Sequence, residues 1–367
     1  MILIAAHIQN FRISSFRGIR ELELTDLGDI NIIVGDNNAG KTSVLEALQI
    51  FCEPTVTNII SLSRKRERGA GLMRMGLDML SSLIYLFAIN DQSRYQMELS
   101  GKILSKECKV FLSGELEKQI VDTSSLPTFV QHSREENYEE EIETFVGKLR
   151  TECGEDIYHQ DVEVNKYSRF RRLSNSDMGW FLRNDILFSG DHLINDSFNR
   201  ITKEVTYREK VIELLKEGFD ESISDLRVII NDETKRYVQM VEKENGEQIP
   251  LSLYGDGMRK TLTMVNSIMI ARDGVAMFDE FETGLHTSSM DLVFKMVLKA
   301  ARELNVQLFM TTHSLEAVDK MLKSAGTDIN RVKVIRLRKK RGKIYSKVMN
   351  GEEAREDREE YNMELRK

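Results

Sequence analysis

The residues with the clearest chemical meaning are 35–42, which read GDNNAGKT and fit the phosphate-binding pattern Gly-x-x-x-x-Gly-Lys-Thr. In this pattern the glycines let backbone N–H groups curl around a β-phosphate. We expect Lys41 to reach the β- and γ-phosphates and the Thr42 hydroxyl to hold Mg²⁺. A strand-like run at 30–34 precedes the motif and a helix-forming run at 43–51 follows it, as such a loop requires. The sequence therefore predicts a nucleoside triphosphate bound by Gly35, Asn37, Asn38, Ala39, Gly40, Lys41, Thr42 and Ser43.

Two adjacent carboxylates follow another apolar run, VAMF at 275–278. At the end of a strand beside the phosphate loop, Asp279 is expected to accept from Mg²⁺-bound water. Glu280 is then expected to face the γ-phosphate and polarise the attacking water. A further strand-like run ends at His313, and a histidine there can donate to the γ-phosphate and sense its loss. The spacing of these residues predicts the second half of a nucleotide-hydrolysing site.

A glycine-rich turn, LSLYGDGMRK at 251–260, opens a helix before the acidic pair. Exposed N–H groups at a helix N-terminus form an anion cradle. Because the chain already has one cradle at the phosphate loop, a second predicts a composite site. We expect Gly255, Asp256 and Gly257 to grip the γ-phosphate bound by another subunit, with a plain helix-capping turn as the alternative.

These motifs need strands and helices to bring them together. Apolar runs predict strands at 2–11, 19–24, 30–34, 95–104, 108–116, 226–230, 275–278, 306–310 and 332–337, and helices at 259–271, 288–304 and 315–324. Strands that alternate with helices predict an α/β fold whose mainly parallel sheet is flanked by helices, and the runs at 95–104 and 108–116 predict an antiparallel side sheet.

The middle of the chain differs in composition. Apolar residues at 142, 145, 146 and 149 follow the period of an amphipathic helix, and a second such run lies at 205–215. The sequence therefore predicts an N-terminal ATPase lobe (1–125), a helical insertion (126–225) and a C-terminal ATPase lobe (226–367).

Composition narrows the class of protein. The 367 residues carry a net charge of −7, which disfavours broad non-specific nucleic-acid binding. Basic stretches at 64–68 and 336–343 are interpreted as solvated surface charges, with DNA contacts as the alternative. Three distant cysteines predict reduced thiols and no disulfide frame. Because no apolar run is long enough to span a membrane and no basic leader opens the chain, we expect a soluble cytoplasmic protein.

Four motifs in order, GDNNAGKT, LYGDGMRK, VAMFDEFETGLH and MTTHS, resemble the ABC-type ATPase heads of the SMC/RecF class. Within that class the chain is most similar to the overcoming-lysogenization-defect (OLD) family and its stand-alone relatives, many of them in bacterial anti-phage systems. The opening NFRISSFRGIREL is typical of that branch. The resemblance covers about 1–120 and 226–345.

This resemblance implies a role for each motif. Lys41 and Thr42 would hold phosphates and Mg²⁺, and Asp279 would also hold Mg²⁺. Glu280 would be the catalytic base and His313 the switch residue. The resemblance further implies that Gly255, Asp256 and Gly257 form the signature that caps a partner's ATP, and that Arg12 or Arg17 touches the nucleotide.

The sequence departs from the family pattern in three ways. Gly255 stands where the signature often has a serine, so the contact in trans would rest on backbone N–H groups. The family also has a glutamine near Mg²⁺, between the phosphate loop and the signature. The candidates for it here are all weak: Gln92, Gln131 and Gln160. OLD proteins also carry a C-terminal TOPRIM nuclease domain, and the residues up to Lys367 leave no room for one. We therefore expect any nuclease or toxin to be a separate effector protein.

Together these features predict an ATPase that forms a homodimer or a larger assembly of dimers. The leading hypothesis is a subunit of an anti-phage defence complex that senses a phage-derived trigger and controls a TOPRIM-like nuclease or a toxin. Two alternatives stay open. One is a RecF-like DNA repair or loading ATPase, and the other is a non-catalytic scaffold that uses ATP only to assemble and to sequester a toxin.

Overall fold

The structure is a computed structural model that describes residues 6–65, 78–87, 95–122, 139–168, 180–191, 205–230 and 237–366. In chain order its strands are β1 (Ile8–Phe16), β2 (Ile19–Leu24), β3 (Ile30–Gly35), β4 (Tyr95–Ile103), β5 (Lys106–Asp122), β6 (Glu139–Cys153), β7 (Asp156–Asn165), β8 (Asn184–Leu187), β9 (Ile223–Ile230), β10 (Tyr237–Lys243), β11 (Gln248–Pro250), β12 (Val275–Phe278), β13 (Gln307–Thr311), β14 (Val332–Lys340) and β15 (Lys343–Asn350). Its helices are α1 (Lys41–Cys52), α2 (Val56–Lys65), α3 (Met79–Ile84), α4 (Val205–Gly218), α5 (Asp256–Ile270), α6 (Thr287–Glu303), α7 (Leu315–Ala325) and α8 (Gly351–Glu359).

The central sheet has six strands in the order β15-β14-β3-β13-β12-β8. Only β15 runs antiparallel to its neighbour, and the other four pairings are parallel. Strands β3, β12 and β13 are buried along their whole length, as expected for parallel strands that helices cover on both faces. The predicted α/β fold is confirmed.

Two apolar cores lie on the two faces of this sheet. Successive side chains of a strand point to opposite faces, so Ile33 of β3 packs into the core with α1 and the side sheet. Its neighbours Ile32 and Val34 pack into the core with α5, α6 and α7. The parallel strands β3, β12 and β13 therefore end along one edge of the sheet, between the two apolar cores.

The side sheet is larger than the sequence predicts. It has six antiparallel strands in the order β2-β1-β4-β5-β6-β7. The predicted helix over 142–149 is wrong, because these residues lie in β6. Their apolar spacing suits either element, but from Leu149 to Cys153 burial alternates residue by residue, and β5 and β7 pair with β6 on both sides. Tertiary pairing therefore decides a pattern that periodicity leaves ambiguous.

The expectation of three unpaired thiols is also wrong. Cys108 of β5 and Cys153 of β6 lie opposite each other in the strand register and form a disulfide. Cys52 of α1 is a free, buried cysteine.

Most of the remaining corrections concern the predicted helical insertion. Its described part contains β6, β7 and β8, and the one predicted helix that is confirmed is α4. Strand β8, which the sequence analysis missed, forms the edge of the central sheet beside β12. Strand β9 contains the run at 226–230, but it belongs to a separate antiparallel sheet with β10 and β11. Among the described residues, no helix is long and apolar enough to cross a membrane.

Candidate functional site

The phosphate loop joins β3 to α1, as predicted. Gly40 precedes the first helical residue with a φ of +89°, a left-handed conformation that glycine adopts without steric cost. A Cβ atom on Gly40 would lie 2.9 Å from Cδ1 of Ile344. The loop is therefore tightly packed under the hairpin of β14 and β15, and α1 opens at Lys41 with its N-terminus toward the loop.

Lys41 is buried, with 5% of its surface exposed. Its Nζ atom donates to the backbone oxygens of Gly35, at 2.8 Å, and Asp36, at 3.1 Å, and lies 3.2 Å from Nδ1 of His313. Burial lowers the pKa of Lys41, and the nearby carboxylates of Asp279 and Glu280 act in the opposite direction. The ammonium is thus held inside the loop by oxygen acceptors, the kind of atom that a phosphate would present.

Thr42 and Asp279 form the part of the site that fits a metal ion. The Thr42 hydroxyl lies 3.0 Å from both carboxylate oxygens of Asp279. The Thr311 hydroxyl donates to Asp279 Oδ1 at 2.7 Å. A hydroxyl beside a carboxylate supplies the hard oxygen ligands that Mg²⁺ prefers. The part of the chain that the structure describes has no cluster of three or more His, Cys, Asp or Glu residues that could hold a metal ion. A Mg²⁺ ion at Thr42 and Asp279 would therefore need phosphate oxygens and waters as further ligands, as Mg²⁺ usually has.

Glu280 and His313 lie next to each other across the ends of β12 and β13. His313 Nε2 is 3.6 Å from Glu280 Oε1. Glu280 has a φ of +46°, and its N–H donates to the Thr311 hydroxyl at 2.9 Å. The imidazole of His313 thus stands between the Lys41 ammonium and the Glu280 carboxylate. The structure brings together these five residues of the predicted site: Lys41, Thr42, Asp279, Glu280 and His313.

The glycine-rich turn lies at the start of α5. Gly255, with a φ of +83°, precedes the helix, and Gly255 and Asp256 are exposed. Within the described residues, Asp256 pairs with Arg259 of its own helix, and 255–257 make no hydrogen bond to the phosphate loop. Leu253 beside the turn is 74% exposed. The turn is therefore open to solvent at Gly255 and Asp256, and its role in trans stays a prediction.

Arg12 and Arg17, the two arginines predicted to touch nucleotide, both contact carboxylates. The Arg12 guanidinium is half exposed and pairs with Glu21 at 2.6 Å, a hydrogen bond that raises its pKa. Arg17 Nε lies 2.8 Å from Glu46 of α1, whose side chain is fully buried. Arg17 therefore ties the turn between β1 and β2 to the helix of the phosphate loop.

In the described part of the chain, none of the three candidate glutamines is found beside Thr42 and Asp279. Gln160 lies on β7 of the side sheet, opposite Leu149 of β6, and Gln92 and Gln131 lie outside the described residues. The N–H of Asp279 donates to the oxygen of Leu187, the last residue of β8, at 2.8 Å, and the segment 188–191 that follows β8 contains no glutamine. Strand β8 has only four residues, which is too short for its apolar pattern to indicate a strand in the sequence.

Lys260 is a residue that the sequence analysis did not single out. It lies on α5 three residues after Gly257, is only 3% exposed, and its Nζ atom donates to Ser189 O at 3.5 Å. Burial lowers its pKa to about 8, although the carboxylates of Glu282 and Asp191 raise it. The sequence could have indicated Lys260, because it is a cation on the apolar face of a helix, between Met258 and Met264.

Comparison with known proteins finds one matching family and several similar chains. The family described as "AAA domain, putative AbiEii toxin, Type IV TA system" matches residues 30–319, which include all four motifs. An "ATP/GTP phosphatase" of Helicobacter pylori is 26% identical over 332 residues, which cover 85% of this chain and 86% of the relative. The solved "SMC head domain from Thermotoga maritima" is 12% identical with a TM-score of 0.45, over 94% of this chain and 98% of that one. The "SmcHead bound to the C-winged helix domain of ScpA" is 14% identical with a TM-score of 0.45, over 95% and 99%.

Proposed function

Because this chain belongs to the family of AAA domains described as "putative AbiEii toxin, Type IV TA system", we propose that it is an ATP-hydrolysing switch that works as a dimer. The observation that carries the proposal is the row of side chains at the ends of β3, β12 and β13. In that row the His313 ring lies 3.2 Å from Lys41 Nζ and 3.6 Å from Glu280 Oε1. The similarity to a protein named "ATP/GTP phosphatase" supports hydrolysis of the bound nucleotide.

Each residue of the row has a task in this proposal. Lys41 exchanges the backbone oxygens of Gly35 and Asp36 for phosphate oxygens when ATP enters. Glu280 orients a water toward the γ-phosphate and takes its proton. His313 donates to the γ-phosphate and, through its contact with Glu280, registers when that phosphate leaves.

Thr42 and Asp279 are the residues that would hold Mg²⁺. When bound, Mg²⁺ neutralises charge that develops on the phosphates. The Thr311 hydroxyl keeps the Asp279 carboxylate turned toward Thr42, because it donates to Oδ1 of Asp279 and its oxygen also accepts from the Glu280 N–H.

The exposed turn at the start of α5 supports the dimer in this proposal. Gly255, Asp256 and Gly257 would offer backbone N–H groups to the γ-phosphate on a second copy of the chain. Each nucleotide would then lie between two copies, and hydrolysis would separate them. The described part of the predicted insertion is largely strand. The movement of the two copies on hydrolysis would therefore be transmitted to the enlarged side sheet.

In the cell, we propose that this switch belongs to the stand-alone OLD-like ATPases of anti-phage defence. A phage-derived trigger would change the nucleotide state, and the ATPase would then release or activate a separate effector, a TOPRIM-like nuclease or a toxin. The toxin–antitoxin description of the family supports an effector of that kind. Co-purification of the chain with the product of an adjacent gene tests this part.

Complementation tests the composite site. Lys41→Ala and Gly257→Arg are each expected to abolish turnover, because one removes the phosphate contact and the other blocks the signature. When the two variants are mixed, a dimer with one copy of each contains one site with an intact loop and an intact signature. Phosphate release is therefore expected to return. Two folded variants that stay inactive when mixed would contradict the composite site. ATP binding and dimerisation without any turnover in the wild type would favour the scaffold alternative.

One observation favours the DNA-binding alternative. The hairpin of β14 and β15 has exposed cations at its tip: Arg338, Lys339, Lys340, Arg341 and Lys343. Such a cluster suits a phosphate backbone, and binding would weaken steeply as salt rises. A gel shift with duplex DNA, with and without ATP, decides between the two functions, because the defence switch as proposed needs no DNA. The segment 66–68 of the other predicted basic stretch lies outside the described residues.

A further inference from the structure

The segment 361–366 brings an arginine to the nucleotide site. Arg366 Nη1 donates to the backbone oxygen of His313 at 2.8 Å. The negative charge of Asp36, in the phosphate loop, also acts on the Arg366 guanidinium. Arg366 is 53 residues away from His313 in sequence, and no motif marks it.

Two contacts hold this segment in place. Arg358 of α8 makes a two-pronged ion pair with Asp319 of α7, with both N–O distances 2.8 Å, and its third nitrogen donates to Met363 O at 2.8 Å. Leu365 is buried in the same apolar core as α7. A two-pronged ion pair fixes both the distance and the orientation between α7 and α8. The position of Arg366 relative to α7 is therefore well defined.

The backbone of His313 is held on both sides by charged side chains. Its N–H donates to Glu282 Oε1 at 3.1 Å, and its oxygen accepts from Arg366. His313 lies beyond the last residue of β13, Thr311, where the sheet no longer pairs its backbone. These two side chains therefore set the orientation of the peptide units from which the imidazole extends toward Lys41 and Glu280.

Arg366 is itself occupied by a carboxylate. Its Nε and Nη2 atoms donate to the two oxygens of Glu364 at 2.6 and 2.7 Å, and this hydrogen bonding raises the pKa of Arg366. A guanidinium paired in this way presents little net charge to a phosphate. Its direct contact with the site is the remaining hydrogen bond to His313 O.

We infer that Arg366 is a positioning residue for nucleotide hydrolysis, which acts by fixing the backbone of His313 so that the imidazole spans Lys41 and Glu280. This inference rests on the proposed function, because it assigns His313 a task in turnover. A small misplacement of a reacting group has a large effect on rate, so we expect Arg366→Met to lower kcat about tenfold. The Kd for ATP is expected to stay within about twofold, because Lys41 and the loop are unchanged.

A double-mutant cycle separates positioning from general structure. Arg366→Met is measured in the wild type and in His313→Ala, and phosphate release and ATP Kd are recorded for each protein. If Arg366 acts through the imidazole, its effect on kcat falls from about tenfold to under about twofold once the ring is absent. Arg366→Lys is expected to restore most of the rate, because an ammonium can also donate to His313 O. Arg355→Met on α8 is the matched control, since Arg355 has no ion pair within the described ranges.

A second readout does not depend on turnover. The chain has six histidines, and the ring resonance that disappears in His313→Ala identifies His313 in the NMR spectrum of the nucleotide-free protein. Arg366→Met is expected to shift that resonance, and Arg355→Met is not. An unchanged His313 resonance, or an equal loss of kcat in both backgrounds, overturns the inference. If the wild type does not hydrolyse ATP, the proposed function fails, and the NMR comparison then decides only whether Arg366 positions the His313 ring.

Discussion

The hydroxyl of Thr42 and the carboxylate of Asp279 meet at 3.0 Å, although the two residues are 237 positions apart in the chain. The contact exists because β3 and β12 end at the same edge of the central sheet, with β13 between them. Thr42 is the second residue of α1, directly after the loop, and Asp279 follows the last residue of β12. The oxygen pair expected for Mg²⁺ is therefore assembled by the fold itself.

Asp279→Asn tests the metal role of this pair. The amide keeps the shape of the side chain but removes its negative charge, so Mg²⁺ loses an anionic ligand. We expect the Mg²⁺ concentration that supports half-maximal ATP binding to rise on the order of tenfold. Isothermal titration of ATP at a series of Mg²⁺ concentrations measures this change. Asp273→Asn, an exposed carboxylate that pairs with Arg272, is the control, and equal Mg²⁺ curves for both variants would rule out the assignment.

Arg17→Ala distinguishes a structural from a nucleotide-binding arginine. The substitution takes the guanidinium away from Glu46, whose carboxylate is fully buried. Loss of the cation from such a pair costs roughly 3 kcal/mol of unfolding free energy. We expect a lower urea midpoint and an unchanged affinity for ATP in the fraction that is folded.

Arg12→Ala is the matched comparison, because Arg12 pairs with Glu21 at an exposed position. It is expected to leave stability nearly unchanged, since exposed ion pairs contribute little. A stable Arg17→Ala protein with weakened ATP binding would instead support the role that the resemblance to ABC-type heads implies.

Lys260 gives a pH dependence with a defined sign. The unfolded chain keeps the proton on this lysine up to a pKa of 10.5, whereas the folded chain releases it at about 8. Between these values the unfolded state binds more protons, so the contribution of Lys260 makes the unfolding free energy rise with pH. The cost of burying the charge is present in full below pH 8 and is relieved as the pH approaches 10.5, by about 3 kcal/mol.

Lys260→Met isolates this contribution from other groups that titrate in the same range. The unfolding free energy of the wild type, relative to that of Lys260→Met, is expected to rise between pH 8 and 10.5. Chemical denaturation at several pH values measures the difference. A constant difference across that range would show that the buried amine does not change its charge there.

The strands and helices of the nucleotide site could be predicted because their signals are local. The runs before Gly35, Asp279 and His313 are short and mainly apolar, and motif residues follow each of them. Both the type and the order of these strands could therefore be predicted from the sequence. The side sheet was harder to predict, because residues 142–149 carry an apolar spacing that fits a helix or a strand. The pairing of β6 with β5 on one side and with β7 on the other favours the strand.

The residues missed in the site act through tertiary contacts. Thr311, Glu282 and Arg366 contact Asp279 and His313 through side chains whose partners lie 32, 31 and 53 positions away. None of them belongs to a repeated spacing. The disulfide between Cys108 and Cys153 was missed for the same reason, because it depends on the register of β5 with β6.

Glu280→Gln provides the most direct test of the central claim, that this chain hydrolyses ATP between two copies with Glu280 orienting the water. Phosphate release at saturating ATP and Mg²⁺ would be measured together with molar mass by light scattering. We predict a loss of turnover of at least about 100-fold, together with an ATP-loaded dimer that persists, because the glutamine keeps the shape of the side chain but cannot accept the proton. Turnover at the wild-type rate, or a protein that stays monomeric with ATP bound, would contradict the account.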